Sequence, residues 1–206
     1  MTFKIRDLCI ELSFPLVALM TAVIIFDTSM SVIICFASVI AHETGHLLAM
    51  RHFRSYPQKI KLTLFDIAII DRKKITLSDN AELIITLAGV TVNFFLSAIS
   101  YFILYFTPNS CIEIFLNTNL TLGLFNILPI DSLDGGQALF ILLSKKFSPF
   151  TSMKILDIIS FMILIPLALM GFLVLLRSKY NFTLLLTALY LITVILLKNT
   201  KFNVCH

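Results

Sequence analysis

His42-Glu43-Thr44-Gly45-His46 sets two imidazoles four residues apart, with a carboxylate beside the first. On a helix, positions i and i+4 share a face, so both rings can reach one ion. Glu43 lies next to that face. Zinc suits two imidazoles, and a catalytic zinc site keeps one position open for water. Glu43 is then the group placed to take that water's proton. From roughly Thr28 to Met50 the surrounding chain is otherwise apolar. Ionisable residues inside a membrane-length apolar segment are costly and point to function.

Two histidines leave a third ligand to be found, and the chain has only four, at positions 42, 46, 52 and 206. His52 imitates the third ligand of H-E-x-x-H-x-x-G-x-x-H, but that pattern needs a glycine to turn the chain, and Ala49 stands there. His206 is the final residue. Asp134 is the better candidate. It lies in Asn126-Ile127-Leu128-Pro129-Ile130-Asp131-Ser132-Leu133-Asp134-Gly135-Gly136, where a proline and paired glycines interrupt an apolar stretch. A helix broken at membrane depth is tolerated where it lines a wet cavity. Asp131, three residues earlier, competes for the same role.

These residues need a scaffold, and composition indicates which kind. Of 206 residues, 58% are hydrophobic and 14% charged, with a mean hydropathy of +0.96. Soluble domains carry about 45–50% apolar and about 25% charged residues, so a soluble globular protein and a disordered one are both excluded. Four cysteines, at 9, 35, 111 and 205, have no metal-ligand spacing and make no disulfide framework. The net charge of +4 comes from basic residues at the ends of apolar runs, which read as membrane anchors. No nucleic-acid partner is expected.

The fold class expected is an all-α polytopic membrane protein with about six transmembrane helices, forming a single domain over 1–206. The spans fall at approximately 8–26, 30–50, 82–106, 112–130, 153–176 and 181–198. Lys4 and Arg6 precede the first apolar run, and no A-x-A-like site follows, so it reads as an uncleaved span. Residues 56–77 differ in kind: Lys59-Ile60-Lys61-Leu62-Thr63-Leu64 alternates at strand period, which predicts a small β-sheet or hairpin insertion after the second helix. Pro166 predicts a kink in the fifth span. Arg51, Arg54, Lys59, Lys61, Arg72, Lys73 and Lys74 put the second connection in the cytoplasm. Arg177 and Lys179 run against that count.

The chain resembles the site-2 protease family of intramembrane zinc metalloproteases. The matching parts are His42-Glu43-Thr44-Gly45-His46, Leu133-Asp134-Gly135 and the G-x-x-x-N element Gly89-Val90-Thr91-Val92-Asn93, over about residues 1 to 147. The resemblance implies Zn2+ held by His42, His46 and Asp134, with Glu43 as general base. It implies substrate or active-site positioning by Asn126, and a similar or oxyanion-side role for Asn93. Within the family the chain is most similar to the bacterial sporulation-protease branch, which activates a sigma-factor precursor. Ser132 stands where that branch has proline, and Gln137 where arginine often follows the glycines. The nucleotide-sensing domain of well-known members has no counterpart in this sequence, so ATP regulation is not implied. The resemblance further implies a multi-pass protein of the cell membrane with its site toward the cytoplasm. Its partners would be a membrane-associated protein substrate, membrane inhibitor or regulator proteins, and the lipid bilayer. The alternatives are a zinc transporter, which would want ligands on further spans, and an inactive membrane scaffold, which would not need Glu43.

Overall fold

The computed structural model describes residues 2–5, 8–12, 30–55, 59–62, 67–70, 77–178 and 183–204. In chain order the elements are β1 (Thr2–Ile5), β2 (Leu8–Leu12), α1 (Met30–His52), β3 (Lys59–Leu62), β4 (Ile67–Ile70), α2 (Asp79–Phe106), α3 (Ser110–Asn126), α4 (Asp134–Ser144), α5 (Pro149–Ser178) and α6 (Thr183–Val204). Two compact units divide the chain, Met1–Gly123 and Leu124–His206.

Helices dominate, but the expected six spans are not met among the described residues. Three helical stretches are long and apolar enough to cross a membrane: Met30–His52, Asp79–Phe106 and Pro149–Arg177. The span expected at 112–130 ends at Asn126, because Pro129 cannot continue a helix and the chain turns instead. The resulting α3 has 17 residues, about 25 Å at 1.5 Å per residue, against a hydrocarbon core of about 30 Å. The apolar stretch of α6, Leu185–Ile195, is shorter still. The span expected at 8–26 is also corrected at its start. Leu8–Leu12 is strand, antiparallel to Thr2–Ile5 and parallel to Lys59–Leu62. Its apolar residues alternate with Cys9 and Glu11, and ladder partners on both sides satisfy its backbone. Residues 13–29 lie outside the described residues, as do 56–58, 63–66 and 71–76 of the expected insertion. Lys59–Leu62 and Ile67–Ile70 pair antiparallel, completing the strand order β1-β2-β3-β4. The α5 helix runs through Pro166.

In the first unit α1 packs on α2 through small residues. A Cβ built on Gly45 would stand 2.9 Å from both the Ala88 carbonyl oxygen and Val92 Cγ2. Small residues permit this approach, which membrane helices use in place of a hydrophobic driving force. Ser78 caps α2, its Oγ accepting from the Ala81 N–H at 3.3 Å, and Asp79 and Glu82 suit the positive end of the helix. The C-terminus of α1 closes in a Schellman turn: the Ser55 N–H donates to Met50 O at 2.9 Å, the Arg54 N–H donates to Arg51 O at 3.2 Å, and Arg54 takes φ 56°. Asn119 ties α3 to α1, its Nδ2 donating to Ser38 Oγ at 3.0 Å and to Phe115 O at 2.8 Å. Phe95, Phe102, Ile165 and Leu173 are exposed, as lipid-facing residues would be.

Interhelical hydrogen bonds in membranes average about 0.6 and reach about 1.7 kcal/mol. Asn119→Ala is therefore expected to lower the unfolding free energy by roughly 1 kcal/mol in a detergent titration. A loss beyond about 3 kcal/mol would show that the residue does more than join two helices.

In the second unit, Ile130 is fully buried against Leu164, Leu191 and Ile195, which draws the loop after α3 onto α5 and α6. Gly135 and Gly136 let α4 start against that loop: a Cβ on Gly135 would overlap the Ile127 carbonyl, and one on Gly136 the Ile130 carbonyl. Asp134 is the first residue of α4.

Candidate metal centre

The histidine pair is set by α1 and held from α2. His42 and His46 are 5% and 8% exposed. Their rings meet edge to face at 4.8 Å between centroids. His46 Nδ1 lies 2.8 Å from the Ile85 carbonyl oxygen. A carbonyl only accepts, so this nitrogen carries the proton, and in the neutral ring that leaves Nε2 with its lone pair. That Nε2 is 3.2 Å from His42 Nε2. Two nitrogens each about 2.05 Å from one tetrahedral zinc stand about 3.3 Å apart, so the pair fits a shared ion.

Gly89 leaves the space in front of the pair open. A Cβ there would stand 2.8 Å from both Nε2 and Cε1 of His42, and closer still to His46 Nε2. The first unit therefore presents two converging imidazole nitrogens with no side chain between them and the facing backbone.

Asp134 begins α4 after the residue Leu133, which caps the helix without a side-chain bond. The unpaired N–H groups and positive end of a helix favour a carboxylate at this position. Among the described residues, His42 and His46 of the first unit and Asp134 of the second are the donors that could hold a metal ion. Two imidazole nitrogens and a carboxylate oxygen match the donor preference of zinc.

The other sequence candidates fall as follows. Glu43 is half-buried beside His42. Asn93 is fully buried on α2, one turn beyond Gly89, and neither atom of its side-chain amide has a hydrogen-bond partner among the described residues. Asn126 is half-buried at the last residue of α3. Asp131 is not in the metal group; its backbone N–H donates to Ser160 Oγ at 3.0 Å. His52 is exposed and meets the Phe53 ring edge-on at 5.1 Å. His206 lies outside the described residues. The sequence reading missed the Ile85 carbonyl. A backbone acceptor has no side-chain signature, and only the i−4 relation of Ile85 to Gly89 could have pointed to it.

Comparison with known proteins finds three likenesses. Residues 107–169 match the model of Peptidase family M50. A zinc metalloprotease of Methanocaldococcus jannaschii is 29% identical over 166 residues, 74% of this chain and 48% of the relative. The chain thus spans about half the length of that curated relative. The solved structure of a site-2 protease from the same organism superposes with a TM-score of 0.65 at 28% identity, covering 93% of this chain and 91% of the other. Together these findings make the chain similar to membrane zinc metalloproteases of the site-2, M50 type.

Proposed function

We propose that this chain is an intramembrane zinc endopeptidase that hydrolyses a peptide bond within or beside the membrane segment of a protein substrate. The observation that carries the reading is the 3.2 Å pair of histidine Nε2 atoms on an apolar helix of membrane-spanning length. Two buried imidazoles on such a helix are costly and point to function. Its likeness to the M50 relatives adds the reaction class.

His42, His46 and Asp134 would hold the ion. Zinc, when bound, supplies Lewis acidity that makes water a nucleophile near neutral pH and polarises a carbonyl. Glu43 accepts the proton of the attacking water and returns it to the leaving amine. The Ile85 carbonyl keeps His46 in the tautomer that offers Nε2. Gly89 puts no side chain against the two Nε2 atoms, and Asn93 supplies an amide donor and acceptor one turn away. A helical substrate hides its peptide bonds in its own hydrogen bonds, so it must be unwound before cleavage. The same reading takes sigma-factor precursor processing as the biological setting, a multi-pass arrangement with the site toward the cytoplasm, and control by membrane inhibitor or regulator proteins.

Zinc transport and a silent scaffold make different predictions. A carrier moves zinc across vesicles, and a scaffold neither moves zinc nor cleaves. The test incubates the purified chain with a membrane-tethered substrate and follows cleavage, alongside zinc flux in proteoliposomes. Cleavage without flux is expected; flux without cleavage would replace the protease reading. The ligand set is checked separately by zinc content after dialysis. Asp134→Ala is expected to lower zinc affinity at least about tenfold, whereas the exposed His52→Ala stays within about twofold. The opposite pattern would move the third ligand to His52.

A further inference from the structure

The loop that delivers Asp134 is not held by its own hydrogen bonds alone. Locally, the Leu128 N–H donates to Phe125 O at 3.2 Å, the Ile130 N–H to Leu128 O at 2.8 Å, and the Leu133 N–H to Ile130 O at 2.8 Å. The last of these closes a turn with Asp131 and Ser132 at its centre. The Asp131 N–H points out of that turn and donates to Ser160 Oγ on α5 at 3.0 Å. Ser160 is fully buried. Its own O–H donates to Leu156 O at 2.8 Å, with Pro129 O at 3.5 Å. The hydroxyl therefore has a fixed orientation, its lone pair aimed at the loop, and is one turn of α5 from Leu164, which packs on the loop residue Ile130.

We propose that Ser160 is a positioning residue for the Asp134 carboxylate: it pins the backbone at Asp131, so that α5 fixes where the third metal ligand begins. The inference rests on the reading of Asp134 as a ligand. It assigns to α5 a part in building the centre, although α5 contributes no ligand. Outer partners that orient a ligand typically change metal affinity by about 10–100-fold when removed. A buried serine hydroxyl that only satisfies its own helix would change it little.

The same helix supplies a matched control. Ser152 is also fully buried on α5, but its Oγ has no hydrogen-bond partner among the described residues. The experiment measures zinc dissociation constants for the full chain in detergent, by competition with a chromogenic chelator, so proteolysis is not needed. Ser160→Ala is expected to weaken zinc binding about tenfold, and Ser152→Ala to leave it within about twofold. Hydrogen exchange gives a second reading that needs no variant to fold. The Asp131 amide should be protected in the unsubstituted chain, and in Ser160→Ala it should exchange faster while its neighbours on α5 do not. An unchanged affinity in Ser160→Ala, with Asp134→Ala weakened, overturns the proposal and leaves the ligand assignment standing. An unprotected Asp131 amide in the unsubstituted chain overturns it as well. An unchanged affinity in Asp134→Ala overturns the ligand assignment and this inference together.

Discussion

Glu43→Gln is expected to retain zinc and lose cleavage by at least about 10²-fold, toward about 10⁴. The substitution keeps the shape of the side chain and removes its ability to accept a proton. Glu43 is half-buried next to His42, but it is not among the residues that could hold the ion. Zinc content measured by elemental analysis should therefore match the unsubstituted chain within about 20%, while turnover of a membrane-tethered substrate collapses. Two outcomes would count against the assignment. Retained cleavage would show that another group moves the proton. Loss of zinc along with activity would show that Glu43 coordinates or orients the ion, so that the variant no longer isolates the base.

Gly89→Ala should do the reverse, removing zinc while leaving the fold. Two effects compete at this position. Within a helix, alanine is favoured over glycine by about 1 kcal/mol, which on its own would stabilise α2. Against that, the new methyl meets His42 Nε2 at 2.8 Å and lies nearer still to His46 Nε2. It fills the space in which the two nitrogens converge, so one or both rings must rotate away. A helix-propensity gain cannot restore a lost coordination geometry. Zinc affinity is expected to fall more than about 100-fold, with helical content by circular dichroism unchanged and thermal stability of the metal-free protein unchanged or slightly raised. Zinc binding at normal affinity in this variant would mean that the ion does not sit in front of Gly89. Valine at the same position should be worse in both respects, because a branched side chain adds crowding on α2 as well.

Much of the centre is legible in the sequence because it depends on spacing. His42 and His46 follow helical periodicity, and the helix that carries them is apolar on either side. Asp134 is legible because Pro129 and the glycine pair break an apolar run just before it, and the structure explains the glycines: no side chain fits where α4 starts against the Ile127 and Ile130 carbonyls. What spacing does not carry is harder to see. Leu8–Leu12 alternates at strand period, but it leads into an apolar run, and helix length outweighs alternation when a span is drawn. Its partner Lys59–Leu62 lies about fifty residues away, and pairing over such a separation leaves no local signal. The Ile85 carbonyl and the Ser160 hydroxyl are invisible for a related reason. One is backbone, and the other is a serine in an apolar helix, where a hydroxyl usually just bonds to its own preceding turn. Only tertiary contacts separate Ser160 from Ser152.

The glycine contact between α1 and α2 also limits motion. Gly45 presses on the Ala88 carbonyl and Val92 with no slack for a methyl group, and His46 is latched to Ile85 across the same seam. Sliding one helix along the other by even a single residue would drive side chains into backbone and break the latch. The two helices must therefore travel as one rigid plank. Any hinge has to lie elsewhere, and the imidazole pair carried on this seam stays preassembled.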